Sequence, residues 1–183
     1  MQINKFLYFA DFYVIPVLVV MFAALAYAAH GLAAAPEFLF ALLTGGAAWT
    51  LIEYGVHRYV YHHAPVISPL HDLHHDRPEA FIGVPSFLSS GLVVAGGYLP
   101  FVAFDRLFAG GFTSGLLIGY AGYMLVHHAV HHWDIQPGDW LYPARVRHMA
   151  HHYRDGLYFG ITTGLWDHIF GTAHAPRSGA HSH

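Results

Sequence analysis

The chain has no cysteine. Disulfides, iron–sulfur clusters and thiolate zinc sites are therefore excluded. Charge is scarce as well: 10% of residues carry one, against about 25% in an ordinary soluble domain. The net charge of −3 comes without any basic run, so nucleic acid is not expected as a partner. No basic stretch leads into a short apolar core and a small-residue cleavage site, so no removable signal peptide is read at the N-terminus. Internal repeats are absent, and so is low-complexity sequence, apart from a loose tail after His174. What remains is apolar: 55% of residues are hydrophobic and the mean hydropathy is +0.39. A single membrane-embedded domain over residues 1–175, followed by a flexible tail at 176–183, is expected.

Four segments reach the roughly 20 residues that a bilayer crossing requires: 12–29, 38–61, 84–104 and 112–132. Gly96, Gly97 and Pro100 should bend the third. Residues 105–111 read as a short turn, so the last two segments form a hairpin that either crosses or only dips into the membrane. Four crossings place the N-terminus, the 62–83 loop and the C-terminal region on one side. Lys5, Arg58, Arg77, Arg145, Arg147, Arg154 and Arg177 lie on or near that side, and only Arg106 lies opposite. Positive residues favour the cytoplasm, so both termini are expected there, in a bacterial inner membrane. Trp49, Tyr54, Tyr59, Tyr61, Trp133, Trp140 and Trp166 gather toward the same face. They form either an interfacial aromatic belt or the wall of a lipid-binding slot.

Against this sparse background stand 18 histidines. Most fall in four clusters: His57 with His62; His71, His74 and His75; His127, His128, His131 and His132; and His148, His151 and His152. All lie at the predicted cytoplasmic face. Imidazole is the commonest metal ligand and suits iron, zinc and copper. On a helix, positions i, i+3 and i+4 share a face, so each H-x-x-H-H triplet can converge from one turn. His127 with His131, or His128 with His132, can do the same. His57 and His62 are five apart and diverge on a regular helix: either the helix ends near Tyr61 or the two serve different ions. Ten ligands (His57, His62, His71, His74, His75, His127, His131, His148, His151 and His152) supply two ions with about five each. That count suits two non-haem irons with room for dioxygen, whereas a structural tetrahedral zinc needs four.

The other histidines read differently. His63, His128 and His132 are donors that steady the ligands, proton carriers or interface residues. His30, His174, His181 and His183 are solvated, and His168 is structural. Metal-bound imidazoles usually give their second N–H to a carboxylate or carbonyl, which singles out Glu53, Asp72 and Asp167, with Asp76 beside them. Glu53 lies one turn before His57 inside a predicted span, where an ionisable group needs a partner. It either supports His57 or bonds to another helix.

The order and flanks of these clusters resemble the fatty acid hydroxylase superfamily of integral-membrane di-metal oxygenases. His57-Arg58-Tyr59-Val60-Tyr61-His62 is similar to that family's first box. His75-Asp76-Arg77-Pro78 and Val84-Pro85 are similar to the stretch after its second. His148-Met149-Ala150-His151-His152-Tyr153, Phe159-Gly160-Ile161-Thr162 and Leu165-Trp166-Asp167 resemble the end of the fatty acid 2-hydroxylase branch. The likeness runs over about residues 38–172. It implies an all-α integral membrane protein of about four transmembrane helices, with a cytosolic helical cap holding the di-metal site. It implies two iron ions, which zinc can replace in purified protein, and dioxygen as co-substrate. It implies insertion of one oxygen atom into a C–H bond of a lipid acyl chain, at C2 in this branch. Eukaryotic members often carry a fused haem domain; no stretch before the first span holds one, so a separate electron-donor protein is expected. A carotenoid or sterol oxygenase, or a desaturase, shares such boxes. A metal transporter should instead place its ligands near the bilayer midplane.

Overall fold

In the computed structural model, residues 3–173 are described, and every regular element among them is helical. The tail at 176–183, with His174, His181 and His183, lies outside the described residues. The elements are α1 (Lys5–Phe9), α2 (Asp11–His30), α3 (Ala35–Gly55), α4 (Ser68–Asp76), α5 (Ser86–Val102), α6 (Arg106–His132), α7 (Tyr142–Tyr153) and α8 (Leu165–Ile169). A 3₁₀ turn over Gly31–Ala34 joins α2 to α3, and α3 runs on into a π-helical turn over Val56–Tyr61.

Local signals explain most ends. α2 stops at Gly31, whose φ of 63° suits only a residue without Cβ. Proline opens α3, α4 and α7, where its missing N–H costs nothing. The Asp105 carboxylate accepts from Phe108 N at 2.9 Å and caps α6.

α6 is the central helix. Its Gly111, Gly115 and Gly119 lie against Phe38, Leu42 and Trp49 of α3 in turn, so the two helices run parallel. A Cβ on Gly111 would sit 2.7 Å from Phe38 O, so the backbones touch directly and only glycine fits. Gly110 meets Phe22 of α2 while Tyr120 meets Asp11, which makes α2 antiparallel to α6. Gly97 and Phe101 of α5 pack on Thr113 and Phe108, antiparallel again. The long helices thus alternate in direction. The α2–α3 and α5–α6 turns share one end of the bundle, and α4, α7 and α8 share the other.

The helical run Lys5–Tyr61, broken at Gly31, and the helix Arg106–His132 are long and apolar enough to cross a membrane; Ser86–Val102 is shorter, at 17 residues. Val17, Leu25, Phe40, Leu43, Leu92 and Leu99 point outward and are exposed, as lipid contact requires. One expectation fails. Residues 105–111 are not a turn: only Asp105 lies outside, and α6 begins at Arg106. Gly110 and Gly111 suggest a turn in sequence, but they serve close packing on α2 and α3.

Candidate metal centre

The π turn brings the first two histidines together. It widens the helix so that residues five apart return to one side. His57 and His62 therefore stack at 5.5 Å instead of diverging, and the helical run ends near Tyr61, as one of the two sequence readings expects.

The imidazoles fall into two groups. The first holds His57, His62, His71, His75 and His151, and the second holds His74, His131, His148 and His152; within each group the nitrogens lie within 4.8 Å of one another. His127 joins the edge of the second, with Nε2 3.0 Å from that of His74. The two H-x-x-H-H triplets do not each converge on one point, as their spacing suggests. Each straddles the groups: His71 and His75 face the first and His74 the second, while His148 and His152 face the second and His151 the first. The groups adjoin, with His75 and His152 stacked at 4.2 Å.

The contacts are between ligand nitrogens. His71 Nε2 lies 3.2 Å from His57 Nε2 and 3.1 Å from those of His62 and His75. In the second group His148 Nε2 is 2.7 Å from His131 Nε2 and 3.1 Å from His152 Nε2. His57 Nδ1 is 2.7 Å from Phe159 O, and His151 Nδ1 is 2.7 Å from Leu157 O. A carbonyl can only accept, so these Nδ1 atoms carry the proton and Nε2 turns a lone pair inward. Inward lone pairs this close repel unless a cation lies among them. The donor set therefore fits two metal ions.

Tyr158 makes the two carbonyl contacts possible. Its φ of 56° puts it in the left-handed region, uncommon for a bulky residue. The turn aims the carbonyls on either side of Tyr158 at imidazoles of the first group. Glu53 and Asp167 then clamp the following strand of chain. Glu53 accepts from Ile161 N at 2.7 Å, Thr162 N at 2.9 Å and Thr162 Oγ1 at 2.6 Å. Asp167 accepts from Phe159 N at 2.8 Å, Gly160 N at 2.9 Å and Thr172 Oγ1 at 2.7 Å. Both acids are buried, and neither touches an imidazole directly. They orient the ligands through the 157–162 backbone, one step further out than the sequence suggests. Asp72 is exposed and holds no imidazole, and Asp76 is exposed too. Asp155, not singled out in the sequence, lies 3.5 Å from His75 Nδ1. Nothing in the spacing marks Leu157 O and Phe159 O, because backbone acceptors carry no residue signature.

Burial, and then the crowding of neighbouring imidazoles, keeps these rings neutral. His74 is held down to about 4. His151 and His152 are each held down to about 3. His62, His71 and His148 are lowered by the same causes, whereas His75 is lowered by burial, against the opposing pull of Asp155, Asp72 and Asp76. Neutral imidazole is the form that binds metal.

The other histidines lie elsewhere. His128 and His132 stack on each other at 4.3 Å, on the side of α6 that meets Tyr8 and Phe81. His63 is exposed, with Nδ1 3.1 Å from Arg58 O. His168 Nδ1 donates to Gly164 O at 2.7 Å, and His30 is exposed at the opposite end of the bundle.

A family model described as fatty acid hydroxylase matches residues 42–172. Fatty acid 2-hydroxylase of Rattus norvegicus is 33% identical over 162 residues, covering 75% of this chain and 41% of that protein. Ceramide very long chain fatty acid hydroxylase SCS7 of Saccharomyces cerevisiae is 32% identical over 152 residues, covering 76% of this chain and 38% of that protein. A solved structure of full-length scs7p, with only its hydroxylase domain visible, superposes with a TM-score of 0.76 at 26% identity, over 96% of this chain and 72% of that one. The chain spans about two fifths of the length of the mammalian and yeast relatives.

Proposed function

The chain belongs to the fatty acid hydroxylase family, and from that premise we propose that it hydroxylates the acyl chain of a membrane lipid at C2. Relatives named fatty acid 2-hydroxylase and dihydroceramide fatty acyl 2-hydroxylase support the position and the substrate class. The observation that carries the reading is the pair of adjacent imidazole groups at one end of an apolar bundle. In this reading the first group, His57, His62, His71, His75 and His151, holds one iron. His74, His127, His131, His148 and His152 hold the other. When bound, the two irons supply the electrons and Lewis acidity that activate dioxygen for attack on an unactivated C–H bond.

The chain's own residues provide what the metals need. Leu157 O and Phe159 O fix the tautomer of His151 and His57. Glu53 and Asp167 hold that turn in place. Apolar helices deliver the acyl chain sideways from the bilayer, with its carbonyl at the rim beside the imidazoles. The bundle walls keep water from the reacting carbon.

Four crossings, through α2, α3, α5 and α6, with α4, α7 and α8 as a cytoplasmic cap, fit the alternating helix directions and the arginine distribution. The bilayer is then a bacterial inner membrane, and a separate redox protein delivers electrons. Epitope tags at residue 1 and in the 63–70 loop should report cytoplasmic, and one at Ala33 the opposite face. The decisive experiment is expression with a compatible electron donor under oxygen-18 gas, followed by fragmentation of the lipid products. One labelled oxygen at C2 supports the reading. A mid-chain hydroxyl, a hydroxylated carotenoid or sterol, or a new double bond would assign a different reaction to the same metal centre.

A further inference from the structure

A second feature lies away from the imidazoles, between α2 and α5. A groove of about 500 Å³ runs along Val14 and Leu18 of α2 and Ser86, Gly91, Val94 and Leu99 of α5. Its size falls in the range of roughly 300–1,000 Å³ typical of small-molecule sites. No hydrogen bond or ring contact links its lining to either group of imidazoles. Nearly all of the lining is apolar, except at one end.

That end is polar in an unusual way. Asp11 is 4% exposed, and both its oxygens are occupied: Ser90 Oγ donates at 2.5 Å, Ser89 Oγ at 2.8 Å and Tyr120 OH at 3.1 Å. Ser86 is different. It is 7% exposed, its Oγ is buried, and that hydroxyl has no partner at all. A buried hydroxyl without a partner is destabilising, so a ligand oxygen there would satisfy it. Ser86 is also the first residue of α5, and its N-cap, Pro85, offers no side-chain acceptor. The opening amides of a helix have no partner within it and favour an oxygen acceptor placed against them.

We propose that this groove is a lipid site: one alkyl chain lies along α2 and α5, with a neutral oxygen head hydrogen-bonded to Ser86 Oγ. The head is an ester, an amide or an alcohol. An oxygen in such a group can accept from the hydroxyl and from the first amides of α5. A carboxylate or phosphate would instead bring negative charge toward Asp11, whose partner Ser89 Oγ also reaches the backbone carbonyl of Ser86. The site stands apart from the reaction centre and does not depend on the activity proposed above.

The test uses the full chain in detergent with two photoreactive probes of equal length, a monoacylglycerol and a fatty acid. The monoacylglycerol should label residues 14–18 and 86–99, and the fatty acid should label them far less. Gly91 has open space where a Cβ would stand, so Gly91→Leu fills the groove without disturbing the helix. It should cut labelling by about tenfold or more, the equivalent of losing most of the alkyl contact. Ser86→Ala should cut it by about fivefold, as the loss of one hydrogen bond predicts. Both variants should keep the helical circular dichroism, elution volume and metal content of the parent. Equal labelling by the fatty acid, or unchanged labelling in either variant, would overturn the proposal and reduce the groove to ordinary lipid contact.

Discussion

The two groups of imidazoles are built from one residue type yet held by different means. In the first, His57 and His151 are tied through Nδ1 to carbonyls that a single turn presents on either side of Tyr158. That turn is pinned in its own right by Glu53 and Asp167. In the second, the buried Nδ1 of His148 has no partner, and the rings of His131, His148 and His152 pack mainly on one another. Orientation in the first group therefore comes from backbone carbonyls of one turn, 102 residues from His57 and 6 from His151. In the second it comes from the way α4, α6 and α7 meet. The first ion should sit in a stiff, preset cage, and the second in one that adapts.

The comparison breaks most sharply when a ligand is lost. His57→Ala and His148→Ala should each cut hydroxylation by more than about 100-fold, beyond the 10–100-fold typical of groups that only orient a ligand. Bound metal should drop from two equivalents to about one in each case, measured by elemental analysis. Loss of neither ion in both variants would sink the two-group model.

Next in size is Gly115→Val. A side chain there would drive into Leu42 O and Gly46 N, with no flexible atom to yield. α3 and α6 should part, at a cost of about 3 kcal/mol or more. Both ions should weaken together, because the groups take ligands from the ends of both helices. A melting curve and a metal titration would show it.

Asp167→Ala should separate the groups. It leaves two buried amides and a hydroxyl without their acceptor. Affinity for one ion should fall by about 10–100-fold while the other is retained. Equal weakening of both would show that the turn supports the whole centre and not one half.

Acid should act on both groups. In the fold these rings resist protonation, whereas in the unfolded chain they take protons near 6.5. His74 is held down to about 4, and His151 and His152 to about 3. Below 6.5 the unfolded chain binds more protons, so metal-free protein should lose stability as pH falls from 6.5 toward 4. Melting temperature against pH would give the slope, and a flat profile would contradict the burial of these rings.

The smallest effect is expected at the turn itself. Tyr158→Gly relieves a positive φ but loosens the unfolded chain, so the two terms nearly cancel, within about 1 kcal/mol. Activity should stay within about threefold if the clamp, and not Tyr158, places the carbonyls.

Much of this was legible in the residues. Scarce charge and long apolar runs point to lipid as the surrounding medium, because composition alone decides which solvent a surface tolerates. The ends of α2 and α3 fall within a few residues of the expected spans, because glycine and proline act locally. The start of α6 was missed because Gly110 and Gly111 look alike whether they bend a chain or let two helices touch. The histidine spacing points to a candidate metal centre and ten candidate ligands, since i, i+3 and i+4 positions share a helix face whatever surrounds them. The distribution of those ligands between two groups was beyond reach. It depends on how α3, α4, α6 and α7 meet, and on a π turn that rotates His62 back beside His57. Glu53, an ionisable group inside a predicted span, needs a partner, and that partner is a backbone 108 residues away. Local spacing determines the type of chemistry this chain can hold. Only the packing of distant segments decides which imidazole nitrogens meet, because contacts between those segments leave no periodic trace in the sequence.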